Sequence, residues 1–164
     1  MIEISQDKGL WVPWMRRAIE LASLGEGCTS PNPKVGAVLL DKDGRLVGEG
    51  FHSVAGSPHA EVEAISRAGL RSIDGTIIVT LEPCCHQGLT PPCTEAILKA
   101  GLTKVVVGMK DPDPRVSGKG ISRLKACGIE VITGVLTQEC EFINREFSFR
   151  VRTGRPWGIL KWAM

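Results

Sequence analysis

Two short segments concentrate the residue types that bind metals and move protons. The first reads Pro-His-Ala-Glu and contains His59 and Glu61. The second begins as Glu-Pro-Cys-Cys-His and runs from Cys84 to Cys93. One imidazole and two thiolates make a sensible zinc-binding set that leaves a fourth position for water. If His59 is a ligand, Glu61 lies two residues away and could shuttle protons. These residue types predict a zinc centre with an acid–base group beside it.

Helix geometry sets a condition on this site. Residues two positions apart on a regular helix lie about 200° apart, on opposite faces. His59 and Glu61 can therefore share a site only if His59 lies at the helix start, outside the regular turns. The preceding Pro58 favours that placement.

Hydrophobic periodicity predicts five strands and five helices around these segments. The predicted strands are Val35–Leu40, Leu46–Phe51, Thr76–Leu81, Lys104–Met109 and Ile129–Thr133. The predicted helices run from Pro13 to near Gly25 and over Ala60–Ala68, Thr94–Ala100, Ile121–Cys127 and Thr137–Val151. Both metal-binding segments follow strand-rich stretches and open helices. Open α/β sheets bind ligands at such transitions, and a helix N-terminus favours thiolate over thiol.

The order of these elements predicts an α/β fold. Strands that alternate with helices after residue 60 indicate βαβ units and a largely parallel sheet, while the early hairpin adds one antiparallel pair. We therefore expect three α/β/α layers around a mixed sheet of about five strands. Residues 1–153 are expected to form a single domain.

Charge and composition exclude several classes of protein. The 20 basic and 18 acidic residues give a net charge of +2, which does not favour a nucleic-acid partner. The N-terminus carries acidic residues instead of the apolar run of a signal peptide, and no apolar stretch is long enough to span a membrane. We expect a cytoplasmic protein whose clustered cysteines bind metal or act in catalysis instead of forming disulfides.

The motifs His-Ala-Glu and Pro-Cys…Cys resemble those of the cytidine deaminase-like zinc superfamily. Within it, the chain is similar to the deaminase domain of the bifunctional riboflavin-biosynthesis deaminase/reductase family, from about Met15 onwards. The motifs that carry this narrower resemblance are Asn-Pro with Val-Gly-Ala-Val, Gly-Glu-Gly-Phe-His, Thr-Leu-Glu-Pro-Cys, Thr-Pro-Pro-Cys and Asp-Pro…Gly-Lys-Gly. The eight-residue gap between Cys84 and Cys93 distinguishes it from relatives with the short Pro-Cys-x-x-Cys form.

The resemblance implies roles for seven residues. They are His59, Cys84 and Cys93 as zinc ligands, Glu61 as the catalytic proton shuttle, and Asn32, His52 and His86 as residues that line the substrate pocket. Cys84 is preferred to its neighbour Cys85 because it directly follows the proline.

Two positions depart from the family pattern. The family usually has Lys or Arg at the position of Leu89, where the cation is expected to face a substrate phosphate. It often has Asn where this chain has Asp113. Lys110, Arg115 and Lys119 are the candidate replacements for the missing phosphate contact.

The activity that the resemblance implies is the zinc-dependent hydrolytic deamination of 2,5-diamino-6-ribosylamino-4(3H)-pyrimidinone 5′-phosphate in riboflavin biosynthesis. The implied partners are this phosphorylated pyrimidine, further copies of the chain and a covalently attached reductase domain. Residues 154–164 resemble the opening of that second domain.

Two alternative functions stay open. The chain could deaminate another base, such as cytosine, guanine or a tRNA adenine. It could also be a non-catalytic zinc module, which would need Cys85 or His86 as a fourth protein ligand.

The remaining cysteines and the basic C-terminal residues are expected to have structural instead of catalytic roles. Cys28, Cys127 and Cys140 are expected to be small buried hydrophobic residues. The basic residues are expected to form a solvated helix face, with docking to a partner domain as the alternative. They are Arg145, Arg150, Arg152, Arg155 and Lys161.

Overall fold

The computed structural model describes residues 8–86 and 91–158. The strands are β1 (Gly36–Leu40), β2 (Leu46–Phe51), β3 (Thr76–Leu81), β4 (Lys104–Met109) and β5 (Glu130–Thr133). The α-helices are α1 (Val12–Ser23), α2 (Ala60–Ala68), α3 (Cys93–Lys99), α4 (Lys119–Ala126), α5 (Thr137–Ile143) and α6 (Arg145–Thr153). Two short 3₁₀ helices occupy Lys8–Trp11 and Gly69–Ser72. The predicted bounds of β2, β3, β4 and α2 are confirmed to the residue.

The five strands form one mixed sheet in the order β2-β1-β3-β4-β5. The hairpin of β1 and β2 is antiparallel, as expected, and the β3–β4 and β4–β5 pairs are parallel. The expectation of one antiparallel pair is incomplete, because β1 is also antiparallel to β3. The reason is topological: α2 carries the chain from β2 across β1, so that β3 runs parallel to β2. The carboxyl ends of β2, β3 and β4 therefore meet the amino end of β1 at one edge of the sheet.

Two apolar clusters, one on each face of the sheet, make up the core. Neighbouring strand residues alternate between them, so that Leu39 and Ile77 belong to one cluster while Val38 and Ile78 belong to the other. The first cluster includes residues of α2, α3 and α4, and the second includes residues of α1 and α5. The predicted three-layer α/β/α fold is thereby confirmed.

Helix α2 lies so close to β2 that only glycine fits beneath it. A Cβ atom at Gly48 would lie 2.1 Å from the carbonyl oxygen of Ala64. One at Gly50 would lie 2.3 Å from that of Ala60. The first turn of α2, which follows His59, is therefore held against the sheet.

The prediction of one helix over Thr137–Val151 is wrong. Asn144 separates α5 from α6, and its backbone adopts φ −109° and ψ 18°. Its buried side chain accepts a hydrogen bond from the Lys34 backbone N–H at 2.8 Å and donates one to the Lys34 carbonyl at 2.9 Å. The break thus ties the C-terminal helices to the loop that precedes β1.

Residues 155–158 follow α6 without helix or strand structure. The segment 154–164, expected to open a second domain, lies mostly outside the described residues, which end at residue 158. Within the described ranges, no helix combines the length and apolarity needed to cross a membrane.

Candidate active site

The edge of the sheet described above brings the two chemistry-bearing segments together. His52 directly follows β2, and Glu82, Pro83 and Cys84 directly follow β3. His59 precedes α2 and Cys93 begins α3. All of these residues except Pro83 and Cys93 line one cavity of about 880 Å³, within the usual range for small-molecule sites.

His59 meets the geometric condition for sharing a site with Glu61. It is the N-cap of α2, with φ −72° and ψ 158°, so its backbone is extended and lies outside the regular turns. Glu61 lies within the first turn and is only 3% exposed. The prediction that His59 stands at the helix start is confirmed.

Three ligand atoms converge at the start of α2 and α3. The ligand atoms of His59, Cys84 and Cys93 lie within 4.8 Å of one another. His59 Nδ1 is 3.1 Å from Cys93 Sγ and 3.6 Å from Cys84 Sγ. The backbone N–H of Cys93 donates to Cys84 Sγ at 3.3 Å. This arrangement matches a set of one imidazole and two sulfur ligands.

The two thiols have opposite tendencies to ionise. Hydrogen bonds from Cys93 and His59 lower the pKa of Cys84 to about 4. The neighbouring Cys84 and burial raise the pKa of Cys93, because a second negative charge beside the first is unfavourable. A divalent cation between the sulfurs would favour the thiolate form of both. The donor set therefore fits Zn²⁺, with His59, Cys84 and Cys93 as the residues that would hold it.

The described ligand group has three members. Neither Cys85 nor His86, both of which the structure describes, belongs to it. A closed structural zinc site needs four protein ligands, so this group has the composition of a site that keeps one position open.

Glu61 supplies a carboxylate beside the ligand group. Burial, and then the charge of Cys84, raises its pKa to about 7. Its carboxyl also interacts with the Cys93 thiol. A carboxyl in this setting has both the position and the acidity of a group that accepts and returns protons.

His52 and Asn32 form a hydrogen-bonded pair in the cavity wall. The Asn32 amide Nδ2 lies 3.3 Å from His52 Nε2, and His52 Nδ1 lies 3.4 Å from the Pro58 carbonyl. Burial lowers the pKa of His52, which favours the neutral ring. Its ring also meets the His59 ring edge-on, with centroids 5.5 Å apart. The exposed His86 lines the same cavity, so all three predicted pocket residues lie there.

Residues 12–109 match the family profile described as the cytidine and deoxycytidylate deaminase zinc-binding region. The matched segment contains the complete His59, Cys84 and Cys93 group and Glu61. The chain belongs to this deaminase family.

Several relatives of this deaminase chain carry a riboflavin-biosynthesis name. It is 55% identical to the riboflavin biosynthesis protein RibD of Synechocystis sp. over 150 residues, which cover 92% of the chain and 40% of that relative. It is 49% identical to RibD of Escherichia coli, with 90% and 40% covered. The chain thus spans about two fifths of the length of these curated relatives.

Solved structures show the same fold. The deaminase chain superposes on Acinetobacter baumannii RibD with a TM-score of 0.89 at 47% identity, covering 93% of this chain and 43% of that one. A diaminohydroxyphosphoribosylaminopyrimidine deaminase/5-amino-6-(5-phosphoribosylamino)uracil reductase from Thermotoga maritima gives a TM-score of 0.86 at 46% identity, covering 92% and 43%.

Glu82 organises the loop between β4 and α4 of the deaminase chain. The buried carboxylate accepts four backbone N–H groups, from Asp111 at 3.2 Å, Gly118 at 2.9 Å, Gly120 at 2.9 Å and Ile121 at 3.2 Å. No role was assigned to Glu82 from the sequence. The sequence signal that could have indicated this role is the position of Glu82 directly after β3. The parallel strand β4 ends beside β3 and leads into the loop that Glu82 binds.

The three candidate phosphate contacts differ in their position relative to the cavity. Arg115 lines the cavity, whereas Lys110 and Lys119 are not among the described lining residues. The Arg115 guanidinium forms a bidentate pair with Asp113, which also lines the cavity. Leu89, the other departure from the family pattern, lies outside the described residues.

Sequence reasoning missed the contribution of α6 to the cavity. Phe147, Arg150 and Val151 line it, although Arg150 was assigned to a solvated basic face. Arg150 and Val151 follow Phe147 by three and four residues, which places them beside it on one side of α6. That spacing was visible in the sequence, but the side that faces the cavity depends on the Asn144 anchor.

The prediction of three buried structural cysteines is correct only for Cys140. Burial raises its pKa to about 12. Cys28 and Cys127 are exposed instead, because Cys28 lies in the loop after α1 and Cys127 follows the last residue of α4. Cys85 is half-buried.

Proposed function

We propose that this chain catalyses the zinc-dependent hydrolytic deamination of 2,5-diamino-6-ribosylamino-4(3H)-pyrimidinone 5′-phosphate, a step of riboflavin biosynthesis. The observation that carries the proposal is the meeting of His59, Cys84 and Cys93 with the buried Glu61 in one cavity. The choice of substrate is supported by the riboflavin-biosynthesis names of the relatives and by the diaminohydroxyphosphoribosylaminopyrimidine deaminase activity for which the T. maritima structure is named.

The reaction replaces an exocyclic amine by a carbonyl. One water molecule is consumed, the carbon–nitrogen bond of the amine breaks, and ammonia leaves. When bound, zinc supplies Lewis-acid activation of water. Because two thiolates neutralise the dipositive charge, this activation is weaker than with three imidazoles, and a neighbouring base becomes more important.

Glu61 is the residue placed to serve as that base. Its carboxylate accepts one proton from the attacking water and returns it to the ring nitrogen, and it then carries the second proton of that water to the departing amine, which leaves as ammonia. Burial excludes bulk water from the carboxyl, which keeps the proton within the site. General acid–base help of this kind contributes about 10²–10⁴ in rate.

In this proposal, the pyrimidine ring of the substrate is oriented by Asn32, His52 and His86. The neutral His52 ring is fixed between the Asn32 amide and the Pro58 carbonyl, so its position is set before substrate enters. Preorganised polar groups of this kind distinguish one ring from another by the hydrogen bonds they can make.

A panel of amines tests the proposal. Ammonia release is measured with the zinc-loaded chain on the diaminopyrimidinone phosphate, cytidine, deoxycytidylate, guanine and a tRNA adenosine substrate. We expect release from the first compound alone. Release from another base in preference to it would show a different deaminase, and a zinc-loaded chain inactive on the whole panel would indicate a non-catalytic zinc module.

We also propose that the complete protein carries a reductase domain after this chain. The support is that the relatives are more than twice as long and that the T. maritima structure is named for both activities. The coding sequence that follows Met164 tests this directly: an unrelated sequence or a stop codon would contradict it.

A further inference from the structure

The cavity contains more negative than positive side chains, although the proposed substrate carries a phosphate. Its acidic lining residues are Glu61, Glu82, Asp111 and Asp113. Among the described lining residues, the permanently charged cations are Arg115 and Arg150. A phosphate dianion bound in this cavity needs one of these guanidinium groups or a cation outside the described ranges.

Arg115 is already neutralised. Its Nε and Nη2 donate to the two Asp113 carboxylate oxygens at 2.9 and 2.6 Å, and its backbone N–H donates to the same carboxylate at 2.9 Å. These bonds lower the pKa of Asp113 to about 2, so the carboxyl is ionised at neutral pH. A phosphate brought to this pair would meet a carboxylate beside the guanidinium.

Arg150 has no such partner. Its guanidinium donates to the Pro31 carbonyl and lies 5.9 Å from the centroid of the Phe147 ring. In the part of the chain that the structure describes, it forms no ion pair with a carboxylate. Because Arg carries five N–H donors in a fork that fits phosphate, the remaining donors are available to a ligand.

The two ends of the cavity differ in burial. His52 and Glu61 are each 3% exposed and lie at its floor, whereas Arg150 is exposed and lies at its rim. Arg150 is joined to the floor through Pro31, whose neighbour Asn32 bonds to His52. A ligand with a reactive ring at one end and a phosphate at the other would place the ring deep and the phosphate at the rim.

We propose that Arg150 of α6 binds the 5′-phosphate of the substrate and thereby selects phosphorylated over unphosphorylated pyrimidines. This inference rests on the proposed deaminase function. It assigns to α6 the phosphate contact that the family resemblance placed at the position of Leu89.

Steady-state kinetics on matched variants test the assignment. Arg150→Gln removes the charge, Arg150→Lys keeps the charge without the fork, and Arg152→Gln is the control on the same helix, since Arg152 is exposed and does not line the cavity. Each is assayed on the phosphorylated substrate and on its dephosphorylated form. Inhibition by ribose 5-phosphate gives a second measure of phosphate binding.

For Arg150→Gln we expect KM for the phosphorylated substrate to rise about 10- to 100-fold, the range of a lost charge-assisted hydrogen bond, with kcat nearly unchanged. The inhibition constant of ribose 5-phosphate should rise by a similar factor. Arg150→Lys should recover part of the loss, and Arg152→Gln should match the parent. Activity on the dephosphorylated form should not change in any variant.

Three results would overturn the assignment. One is an unchanged KM in Arg150→Gln, and another is an equal loss on both forms of the substrate, which would make Arg150 a support for the Pro31 loop. The third is the same KM rise in Arg115→Gln without one in Arg150→Gln. A parent chain that releases no ammonia from the phosphorylated substrate refutes the proposed function itself, and the two failures are thereby distinguished.

Discussion

At the scale of single residues, the site is defined by an electrostatic conflict between two sulfurs. Cys84 favours the thiolate form, and its proximity makes ionisation of the buried Cys93 costly. The imidazole of His59 lies against both sulfurs, and its pKa is raised by the hydrogen bond to Cys84. A bound cation would remove the conflict, so metal affinity should depend on both thiols.

Metal content tests the ligand set. The parent chain should purify with about one zinc per chain, and Cys93→Ser should lose it because a serine hydroxyl remains protonated at neutral pH. Elemental analysis of the purified proteins measures this. Cys127→Ser is the matched control, because Cys127 is exposed and lies outside the ligand group. Full zinc occupancy in Cys93→Ser would contradict the assignment.

At the scale of secondary-structure elements, one carboxylate fixes the loop between β4 and α4, which forms one side of the cavity. Glu82 follows β3 and accepts N–H groups from both ends of the loop that joins β4 to α4, including two at the start of α4. The two donors within α4, Gly120 and Ile121, are among the N–H groups that a helix leaves unpaired at its N-terminus. The loop carries Asp113 and Arg115 to the cavity. Because Glu82 binds both ends of the loop, the shape of this side of the cavity depends on Glu82.

The substitution Glu82→Gln should destabilise the zinc-loaded chain by about 2–5 kcal/mol, because an amide group presents N–H to buried N–H donors and the charge is lost. Urea unfolding measures the free energy, and hydrogen exchange at Gly118, Gly120 and Ile121 should become faster. Glu95→Gln is the control, since Glu95 forms a surface pair with Arg123 and should cost less than about 1 kcal/mol. Equal losses in the two variants would contradict the role of Glu82.

Local sequence was enough to predict most elements, and its failures have a common cause. The β-branched runs of β3 and β4 specify their own bounds, and Gly69 ends α2 with the positive φ that it tolerates. The split between α5 and α6 depends instead on a contact between Asn144 and Lys34, 110 residues apart in the chain. No local pattern contains that information.

The same distinction applies to the candidate site. His59, Glu61, Cys84 and Cys93 were predicted because their types and spacing are visible in the sequence, and strand order alone brings them to one edge. The cavity contribution of Arg150 was missed, because it follows from where α6 packs.

At the scale of the whole molecule, function belongs to a cavity that no single element encloses. The hairpin end, the starts of α2 and α3, the loop after β4 and one side of α6 each contribute to its wall. The sheet brings the carboxyl ends of β2, β3 and β4 to the floor, and the C-terminal helix closes one side. The central claim is that this cavity performs metal-assisted deamination with Glu61 as the proton carrier.

The rate of ammonia release by Glu61→Gln, compared with the parent chain at equal zinc content on the diaminopyrimidinone phosphate, tests that claim most directly. Because glutamine keeps the shape of the side chain but accepts no proton, the variant should retain zinc and lose at least about 10²-fold in turnover. Near-normal ammonia release by the zinc-loaded variant would contradict the account.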